Sequence, residues 1–170
     1  MAEQHEDRFS FAVITMSDKG SRGERQDTSG AYLIERLTAL GYEKAHYEVI
    51  PDNHATIVAT LVKLVDEQRV SLIVTTGGTG VAPTDVTPEA MDAVFDREIP
   101  GMAELMRLES FKVTPRAALS RARAGIRKQS LIINLPGSLK AARENLEAVV
   151  PVLDHALEKI RGDESDCGVI

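Results

Sequence analysis

The sequence predicts an α/β protein in which helices cover both faces of a mostly parallel β-sheet. Short runs that are apolar at every position alternate with segments whose apolar residues recur at helical spacing. Strands that are apolar throughout are buried on both faces, and parallel strands need crossovers, usually helical, between them. With 170 residues, of which 43% are hydrophobic, the chain is long enough for one packed domain. We place that domain at residues 9–162, between polar tails at 1–8 and 163–170.

The pattern of apolar residues sets the order of the elements. The first strand leads into a helix with Leu33 and Leu37 on one face, and each later strand is likewise followed by a helix. The segment 112–129 fits no single pattern and is open between a loop, short strands and a small hairpin. Strands are predicted at 9–16, 46–50, 71–76 and 130–135, and helices at 28–40, 53–68, 102–111 and 138–161, with another helix that starts at Thr87.

Capping residues and prolines predict where these helices begin and end. Asp27 is placed to cap the first helix and Gly41 to end it. Thr87 is expected to cap the third helix, with Pro88 in its first turn, where the missing N–H costs nothing. The Pro-Gly pair at 100–101 is expected to interrupt the chain before the next helix.

The charge of the chain argues against nucleic-acid binding. Its net charge is −6, and four Phe, three Tyr and no Trp offer little surface for stacking bases. However, the window 110–143 contains no Asp or Glu and eight Lys or Arg residues. This basic segment either pairs with acidic faces elsewhere, in the same subunit or across a subunit boundary, or forms a site for a small polyanion.

The sequence also predicts a cytoplasmic protein that does not enter a membrane. The first eight residues, MAEQHEDR, lack the apolar core of a secretory signal. The longest uncharged stretch, 70–84, is broken by glycines and is shorter than the roughly 18 apolar residues that a spanning helix needs. Cys167 is the only cysteine, so no internal disulfide can form, which fits a reducing compartment.

Unusual residues cluster at the joints where predicted strands lead into helices, whereas the joints from helix to strand are plain. Open α/β sheets bind ligands beyond the carboxyl ends of their strands, so the sequence indicates a ligand site at this edge. The residues concerned are Ser17 and Asp18 after the first strand, Asp52 after the second, Gly77, Gly78, Thr79, Gly80 and Asp85 after the third, and Asn134, Pro136, Gly137 and Ser138 at the end of the last.

The glycine-rich loop at 77–80 and the aspartates near it suit a phosphate and a metal ion. Three glycines in four residues expose backbone N–H groups to phosphate oxygens, although a simple tight turn is the alternative. The loop matches neither the P-loop nor the dinucleotide fingerprint. Asp52 and Asp85 could each be only a turn or cap residue, but two carboxylates at neighbouring strand ends suit Mg²⁺, which binds through one or two carboxylates plus substrate phosphates. Asp18 is a third candidate ligand.

The run TTGGTGVAPTDVTPEA at 75–90 closely resembles the signature of the molybdopterin adenylyltransferases and of the related molybdenum-cofactor-binding domains. Further motifs in the same order extend the resemblance over roughly residues 9–160, which makes it far more specific than a lone glycine-rich loop. These motifs are ITMSD near the start, DTSG at 27–30, IPD at 50–52, REIPG at 97–101, LSRARAG at 119–125 and LIINLPGS at 131–138.

The resemblance implies a three-layer α/β/α sandwich, a homotrimer, and a site for ATP and molybdopterin at the carboxyl ends of the strands. It also implies a partner protein for molybdenum insertion. Asp52 and Asp85 match the family's catalytic acidic pair, which would hold Mg²⁺. The other binding residues that it implies are Ser17, Asp18, Gly77, Gly78, Thr79, Gly80, Ser120, Arg121, Asn134, Pro136, Gly137 and Ser138.

The implied reaction is attack by the terminal phosphate of molybdopterin on the α-phosphorus of ATP, with pyrophosphate leaving. The nucleophile is already anionic at neutral pH, so the reaction needs alignment and charge neutralisation rather than a general base. We expect Arg121 and Lys128 to add positive charge to this site.

Two departures from the family pattern keep an alternative open. Thr84 stands where many relatives carry Arg or Lys, and Leu139 follows Ser138 where many continue with proline. The first departure puts a phosphate contact in doubt, so a non-catalytic molybdopterin-binding relative is the main alternative. A signalling receiver domain is disfavoured, because it needs an aspartate at the end of the third strand, where this chain has Thr75 and Thr76.

Overall fold

The computed structural model describes residues 8–164; Cys167 and most of the two predicted tails lie outside them. Six strands form a single sheet in the order β2-β1-β3-β6-β5-β4. The strands are β1 (Ser10–Met16), β2 (Glu43–Ile50), β3 (Leu72–Thr76), β4 (Arg97–Glu98), β5 (Ala124–Arg127) and β6 (Ser130–Leu135). The helices are α1 (Asp18–Ser21), α2 (Thr28–Ala39), α3 (His54–Asp66), α4 (Thr87–Val94), α5 (Pro100–Phe111) and α6 (Leu139–Arg161), with a short 3-10 helix at Pro115–Leu119.

Four neighbouring strands are parallel, and three of them, β1, β3 and β6, are buried on both faces, whereas the edge strand β2 is largely exposed. Strands β2, β1, β3 and β6 pair in parallel, whereas β5 pairs antiparallel with both β6 and β4. Because successive side chains of a strand point to opposite faces, β1 contributes Phe11 and Val13 to one core and Ala12 and Ile14 to the other. The predicted α/β fold with a mostly parallel sheet is therefore confirmed.

Two separate hydrophobic cores fix the layers of helices. Helices α2, α5 and α6 pack on one face of the sheet through residues such as Leu37, Met106 and Leu146. Helices α3 and α4 pack on the other face through residues such as Leu61 and Met91. The arrangement is the three-layer α/β/α sandwich that the resemblance implies. Within residues 8–164 no helix is both long and apolar enough to cross a membrane.

Most helices begin with a side-chain cap, as the sequence predicts for Asp27. Its Oδ1 accepts a hydrogen bond from Gly30 N at 2.9 Å, and Gly41 follows the same helix in the left-handed region at φ 95°. Asn53 and Ser138 cap α3 and α6 in the same way. Each cap thereby satisfies one of the bare N–H groups in the first turn of its helix.

The prediction that Thr87 caps α4 is wrong. The cap position is Val86, which has no side chain that can accept a hydrogen bond, and Thr87 is the first helical residue. Its hydroxyl instead donates to the carbonyl of Gly77 at 3.1 Å. The side chain is thus used to hold the loop that follows β3, a tertiary role that local sequence does not reveal.

One further expectation is wrong, the segment that was left open is resolved, and one strand boundary shifts. Pro100 and Gly101 do not interrupt a helix but form the first turn of α5, where proline's fixed φ suits helix initiation. The uncertain segment 112–129 contains the 3-10 helix and then β5, which forms a hairpin with β6. Strand β2 also begins three residues earlier than predicted, at Glu43.

The parallel register brings the carboxyl ends of four strands to one edge of the sheet. Met16 lies beside Ile50, Thr15 beside Thr76, and Thr76 beside Leu135. The loops that follow β1, β2, β3 and β6 therefore begin at the same level. This edge carries most of the residues that the sequence singled out.

Candidate active site

Two cavities lie at the carboxyl edge of the sheet. One has a volume of about 430 Å³ and lies between the glycine-rich loop, α5 and α6; we call it the α5–α6 lobe. The other has a volume of about 380 Å³ and lies beyond the ends of β1 and β2; we call it the β1–β2 lobe. Gly78, Asp85 and Gly137 line both lobes. The two lobes therefore form one cleft whose halves meet at these three residues.

The glycine-rich loop has a backbone that only glycine adopts without strain. Gly77 and Gly78 both lie in the left-handed region, at φ 104° and φ 66°. A Cβ on Gly77 would lie 2.4 Å from the carbonyl oxygen of Met16, which belongs to the backbone of β1 and cannot move aside. Gly77 N donates to Leu135 O at 3.0 Å, and Thr87 N donates to Gly78 O at 3.2 Å. The loop is thereby tied to β6 and to α4.

Asp52 is held at the end of β2 by a reciprocal pair of hydrogen bonds with Asp18. Asp52 N donates to Asp18 Oδ1 at 3.0 Å, and Asp18 N donates to Asp52 Oδ2 at 3.2 Å. Burial raises the pKa of Asp52, the hydrogen bond from Asp18 N opposes this shift, and the negative charges of Asp18 and Asp85 add to the increase. Asp52 lines the β1–β2 lobe, and no cation is among the groups that shift its pKa.

Asp85 faces the same cleft from the other side of the glycine-rich loop. Its Oδ2 accepts a hydrogen bond from Ala82 N at 2.9 Å, and a Cβ on Gly80 would lie 2.7 Å from this oxygen. A larger residue at 80 would therefore displace the Asp85 carboxylate from this position. Asp52 and Asp85 thus approach the point where the lobes meet from two different loops.

The pair of carboxylates fits a divalent cation that substrate phosphates help to bind. Residues 8–164 contain no group of three or more His, Cys, Asp or Glu side chains able to hold a metal alone. However, Mg²⁺ characteristically uses one or two carboxylates together with substrate phosphates and water. Burial is the main cause of the raised pKa of Asp52, and the charges of Asp18 and Asp85 add to it, so a bound cation would offset an unfavourable negative charge at this place.

The structure places most of the predicted binding residues on the cleft, but three of them line neither lobe. Asn134 is fully buried, and its Nδ2 donates to Thr75 Oγ1 at 3.2 Å within the sheet. Asp18 lies behind Asp52, and Arg121 lies behind the glycine-rich loop. The predicted residues that do line a lobe are Ser17, Asp52, Gly77, Gly78, Thr79, Gly80, Asp85, Ser120, Pro136, Gly137 and Ser138.

The turn after β6 is held against the glycine-rich loop by two hydroxyl groups. Thr76 Oγ1 donates to Pro136 O at 2.7 Å, and Ser29 Oγ donates to Gly137 O at 2.9 Å. A Cβ on Gly137 would lie 3.3 Å from the Cα of Gly77. Glycine at 137 therefore allows the two turns to approach closely, which brings both of them to the junction of the lobes.

The expectation that Lys128 adds positive charge to the site is wrong. Lys128 lies in the turn between β5 and β6, before β6 begins, and its Nζ pairs with Asp66 at 3.1 Å. That turn is at the opposite edge of the sheet from the cleft. The antiparallel β5 hairpin, which sequence periodicity did not resolve, is what carries Lys128 there.

The basic window 110–143 is used mainly for ion pairs with acidic residues elsewhere in the chain, one of the two alternatives left open by the sequence. Arg123 pairs with Asp92 and Glu98, and Arg127 pairs with Asp66. Arg116 is the exception, because it lines the α5–α6 lobe. Of the cations in this window, Arg116 is thus the one placed to bind a small polyanion in the cleft.

Several cleft residues escaped the sequence analysis. Arg107 on α5 lines the α5–α6 lobe, and its Nη1 donates to Ala122 O at 2.9 Å. Asp27 was identified only as a helix cap, yet its Oδ2 also accepts hydrogen bonds from Thr15 Oγ1 at 2.6 Å and Tyr47 Oη at 2.7 Å. Burial and this hydrogen bond raise the pKa of Tyr47 to about 12. The DTSG motif at 27–30 was the only signal in the sequence for the cluster of Asp27, Thr15 and Tyr47.

An open parallel sheet with a two-lobed, carboxylate-bearing cleft beyond its strand ends defines an α/β protein that binds its ligands at that edge. The family model described as "Probable molybdopterin binding domain" matches residues 12–155, and the chain belongs to this family.

Proteins and structures similar to this chain fall in the same group. The molybdopterin adenylyltransferase of Helicobacter pylori is 46% identical over 155 residues, which are 90% of this chain and 88% of that protein. The molybdopterin adenylyltransferase of Escherichia coli is 48% identical over 141 residues, which are 82% of this chain and 72% of that protein. The crystal structure of the molybdopterin biosynthesis enzyme MoaB from Thermus thermophilus has a TM-score of 0.86 at 52% identity and covers 91% of this chain and 98% of its own.

The raised pKa of Asp52 predicts that Asp52→Asn stabilises the metal-free protein. Because the folded-state pKa lies above the ordinary value of 3.8, the folded state binds the proton more tightly, and the free energy of unfolding falls as pH rises through that pKa. The amide keeps an oxygen for the hydrogen bond from Asp18 N but carries no charge. In EDTA, thermal unfolding should occur at a higher temperature in the variant than in wild type near neutral pH, with the difference vanishing at low pH.

The matched control for Asp52→Asn is Glu104→Gln, which removes an exposed carboxylate from α5. Its unfolding midpoint should follow that of the wild type across the pH range. A midpoint of Asp52→Asn at or below wild type near neutral pH would contradict the assignment of Asp52 as a strained, uncompensated charge.

Gly78→Ala is expected to damage the loop and weaken ATP binding. The added Cβ would meet Thr87 Oγ1 at 2.4 Å and Asp52 Oδ1 at 3.1 Å, in a left-handed backbone conformation. We expect a loss of more than about 1 kcal/mol in the free energy of unfolding, measured by urea titration alongside ATP titration. Gly101→Ala is the control, since a Cβ there meets nothing within 4 Å. Wild-type stability and ATP affinity in Gly78→Ala would refute the proposed strain.

Proposed function

We propose that this protein is a molybdopterin adenylyltransferase of molybdenum cofactor biosynthesis. It transfers AMP from ATP to the terminal phosphate of molybdopterin and yields adenylyl-molybdopterin and pyrophosphate. The observation that carries the proposal is the position of Asp85 where the two lobes of one cleft meet, with Asp52 beside this junction next to Gly78. To transfer a group between two substrates, an enzyme must bind both of them with their reacting atoms side by side, and two adjoining lobes allow this. The names of the similar proteins from H. pylori and E. coli support the same activity.

The proposed reaction needs no general base. A terminal phosphate oxygen of molybdopterin forms a bond to the α-phosphorus of ATP, and the bond from that phosphorus to the oxygen shared with the β-phosphorus breaks. Pyrophosphate leaves with that oxygen and its electron pair. Since the attacking phosphate is anionic at neutral pH, the protein has to align two anions and offset their charge.

The residues of the two lobes suit these tasks. The backbone of the glycine-rich loop 77–80 approaches phosphate oxygens closely because no side chain blocks it. Arg107 and Arg116 give the α5–α6 lobe positive charge, and Arg25 does so for the β1–β2 lobe. Each lobe would hold one substrate, with the phosphate groups directed toward the junction.

Asp52 and Asp85 are the side chains that would hold Mg²⁺. When bound, Mg²⁺ offsets the negative charge of the phosphate oxygens and of the leaving pyrophosphate. The two aspartates also have a role of their own, because their negative charges would repel the phosphate groups of both substrates from the junction when no metal ion is bound. A requirement for a divalent metal ion is therefore part of this proposal.

The non-catalytic alternative depends on Thr84, and the arrangement of the cleft favours the enzyme. Thr84 is exposed in the loop between Gly80 and Asp85. Arg107 and Arg116 approach the α5–α6 lobe from α5 and the segment that follows it. These two guanidinium groups can supply the phosphate contact that a basic residue at 84 would otherwise make.

We further propose that the protein acts in the cytoplasm as a homotrimer and passes its product to a partner protein for molybdenum insertion, as the family resemblance implies. Exposed apolar side chains on α5 and the segment after it support an assembly, since Leu108, Phe111, Val113 and Leu119 are each about half exposed or more. Contacts between copies would cover them.

Asp85→Asn is expected to abolish AMP transfer while molybdopterin still binds. The amide keeps the size of the side chain but removes one of the two charges that would hold the metal. We expect the rate to fall by about 10²-fold or more, measured as adenylyl-molybdopterin by chromatography, with molybdopterin affinity measured separately by fluorescence.

Asp92→Asn provides the control for Asp85→Asn. Asp92 is an exposed carboxylate on α4 that lines neither lobe of the cleft and pairs with Arg123. This variant should transfer AMP at the wild-type rate. Turnover near wild type in Asp85→Asn would remove Asp85 from the mechanism.

A further inference from the structure

The loop that carries Asp85 is fastened at both ends by a single guanidinium group. Arg121 Nε donates to Gly80 O at 2.7 Å, and Arg121 Nη2 donates to Asp85 O at 2.6 Å. The third nitrogen, Nη1, pairs with the Glu89 carboxylate in the first turn of α4. One planar group thus joins the start of the loop, its end and the helix behind it.

The loop itself has few other constraints. Asp85 N donates to Ala82 O at 2.9 Å, and Ala82 N donates back to Asp85 Oδ2 at 2.9 Å. Val81 is 63% exposed, and the residues at 82–84 are also exposed. The orientation of the Asp85 carboxylate therefore depends on how the two ends of the loop are held.

Arg121 is itself fixed by its backbone neighbours. Its N–H donates to Thr79 O at 2.8 Å, which joins the segment to the glycine-rich loop. Arg107 Nη1 donates to the carbonyl oxygens of Ser120 at 3.4 Å and Ala122 at 2.9 Å, on either side of Arg121. The guanidinium of Arg121 is therefore presented from a segment that is anchored to both α5 and the glycine-rich loop.

We propose that Arg121 is a positioning residue that clamps the loop 80–85 and so sets the Asp85 carboxylate at the junction of the lobes, without contacting either substrate. The importance of Asp85 in this inference rests on the proposed function, whereas the clamp itself does not. Lysine cannot replace it, because an ammonium group has no planar fork with which to reach two carbonyls and a carboxylate at once.

Hydrogen exchange tests the clamp without any reaction. In Arg121→Ala, the amides of Ala82 and Asp85 should exchange at least about 10-fold faster than in wild type, since their hydrogen bonds lie within the released loop. Arg121→Lys should show the same effect to a smaller degree. Arg123→Ala is the matched control, because Arg123 is two residues away and pairs only with Asp92 and Glu98 on the surface. Equal exchange in wild type and Arg121→Ala would overturn the clamp.

Kinetics separate a positioning role from a substrate contact. Releasing a group that orients a metal-binding carboxylate should lower kcat and raise the Mg²⁺ concentration for half-maximal rate, each by about 10–100-fold. The dissociation constant of molybdopterin and the KM for ATP should stay within about 2-fold of wild type. A large loss of molybdopterin or ATP affinity, with kcat preserved, would overturn the proposal in favour of a direct contact.

The outcomes also separate this inference from the proposed function. Faster exchange in Arg121→Ala, with wild type unable to transfer AMP, would support the clamp and defeat the proposed function. Unchanged exchange in a protein that does transfer AMP would defeat the clamp alone. If Arg121→Ala does not fold, the thermal unfolding midpoint will show it, and Arg121→Lys and Glu89→Gln then test the same contacts with smaller perturbations.

Discussion

The close approach of the backbone of Gly77 to the end of β1 is the constraint on which the rest of the site depends. A side chain at this position would lie 2.4 Å from the carbonyl oxygen of Met16, so the chain can turn here only as glycine. That turn sends the next residues across the ends of β1 and β6, where they line both lobes. The same turn allows the loop after β6 to approach, with Gly137 in contact with Gly77. Thr87 then fixes the carbonyl of Gly77 from α4.

Some polar groups of the site have hydrogen-bond partners of complementary charge, whereas others do not. The carbonyls of the loop 80–85 have their charge-assisted partner in Arg121, and Asp27 accepts three hydrogen bonds at the start of α2. Asp52 differs, because burial and its neighbours raise its pKa. Carboxylates whose pKa is perturbed by burial and by neighbouring charges cluster at functional sites. The unfavourable charge is confined to the junction of the lobes, which is where a cation and substrate phosphates would offset it.

Sequence periodicity predicted the sheet, its helices and the edge that carries the site, because each of those features depends on residues close together in the chain. It failed where the partner is distant in sequence. Thr87 looks like a helix cap, but its hydroxyl binds a carbonyl ten residues earlier. Lys128 looked like a site cation because the β5–β6 hairpin was not recognised. Arg121 was predicted to add positive charge to the site, but it lines neither lobe, because its guanidinium binds carbonyls 36 and 41 residues away. Arg107 gave no signal at all, since a single arginine on a helix is ordinarily a surface residue.

In the proposed reaction two substrates meet between Asp52 and Asp85, where a divalent cation joins them. Pyrophosphate release tests this most directly, on mixing the wild-type protein with molybdopterin and ATP in Mg²⁺ or in EDTA, with molybdopterin omitted in a parallel series. We expect release only when molybdopterin, ATP and Mg²⁺ are all present. Tight molybdopterin binding with no pyrophosphate release in Mg²⁺, or release that is unaffected by EDTA, would contradict it.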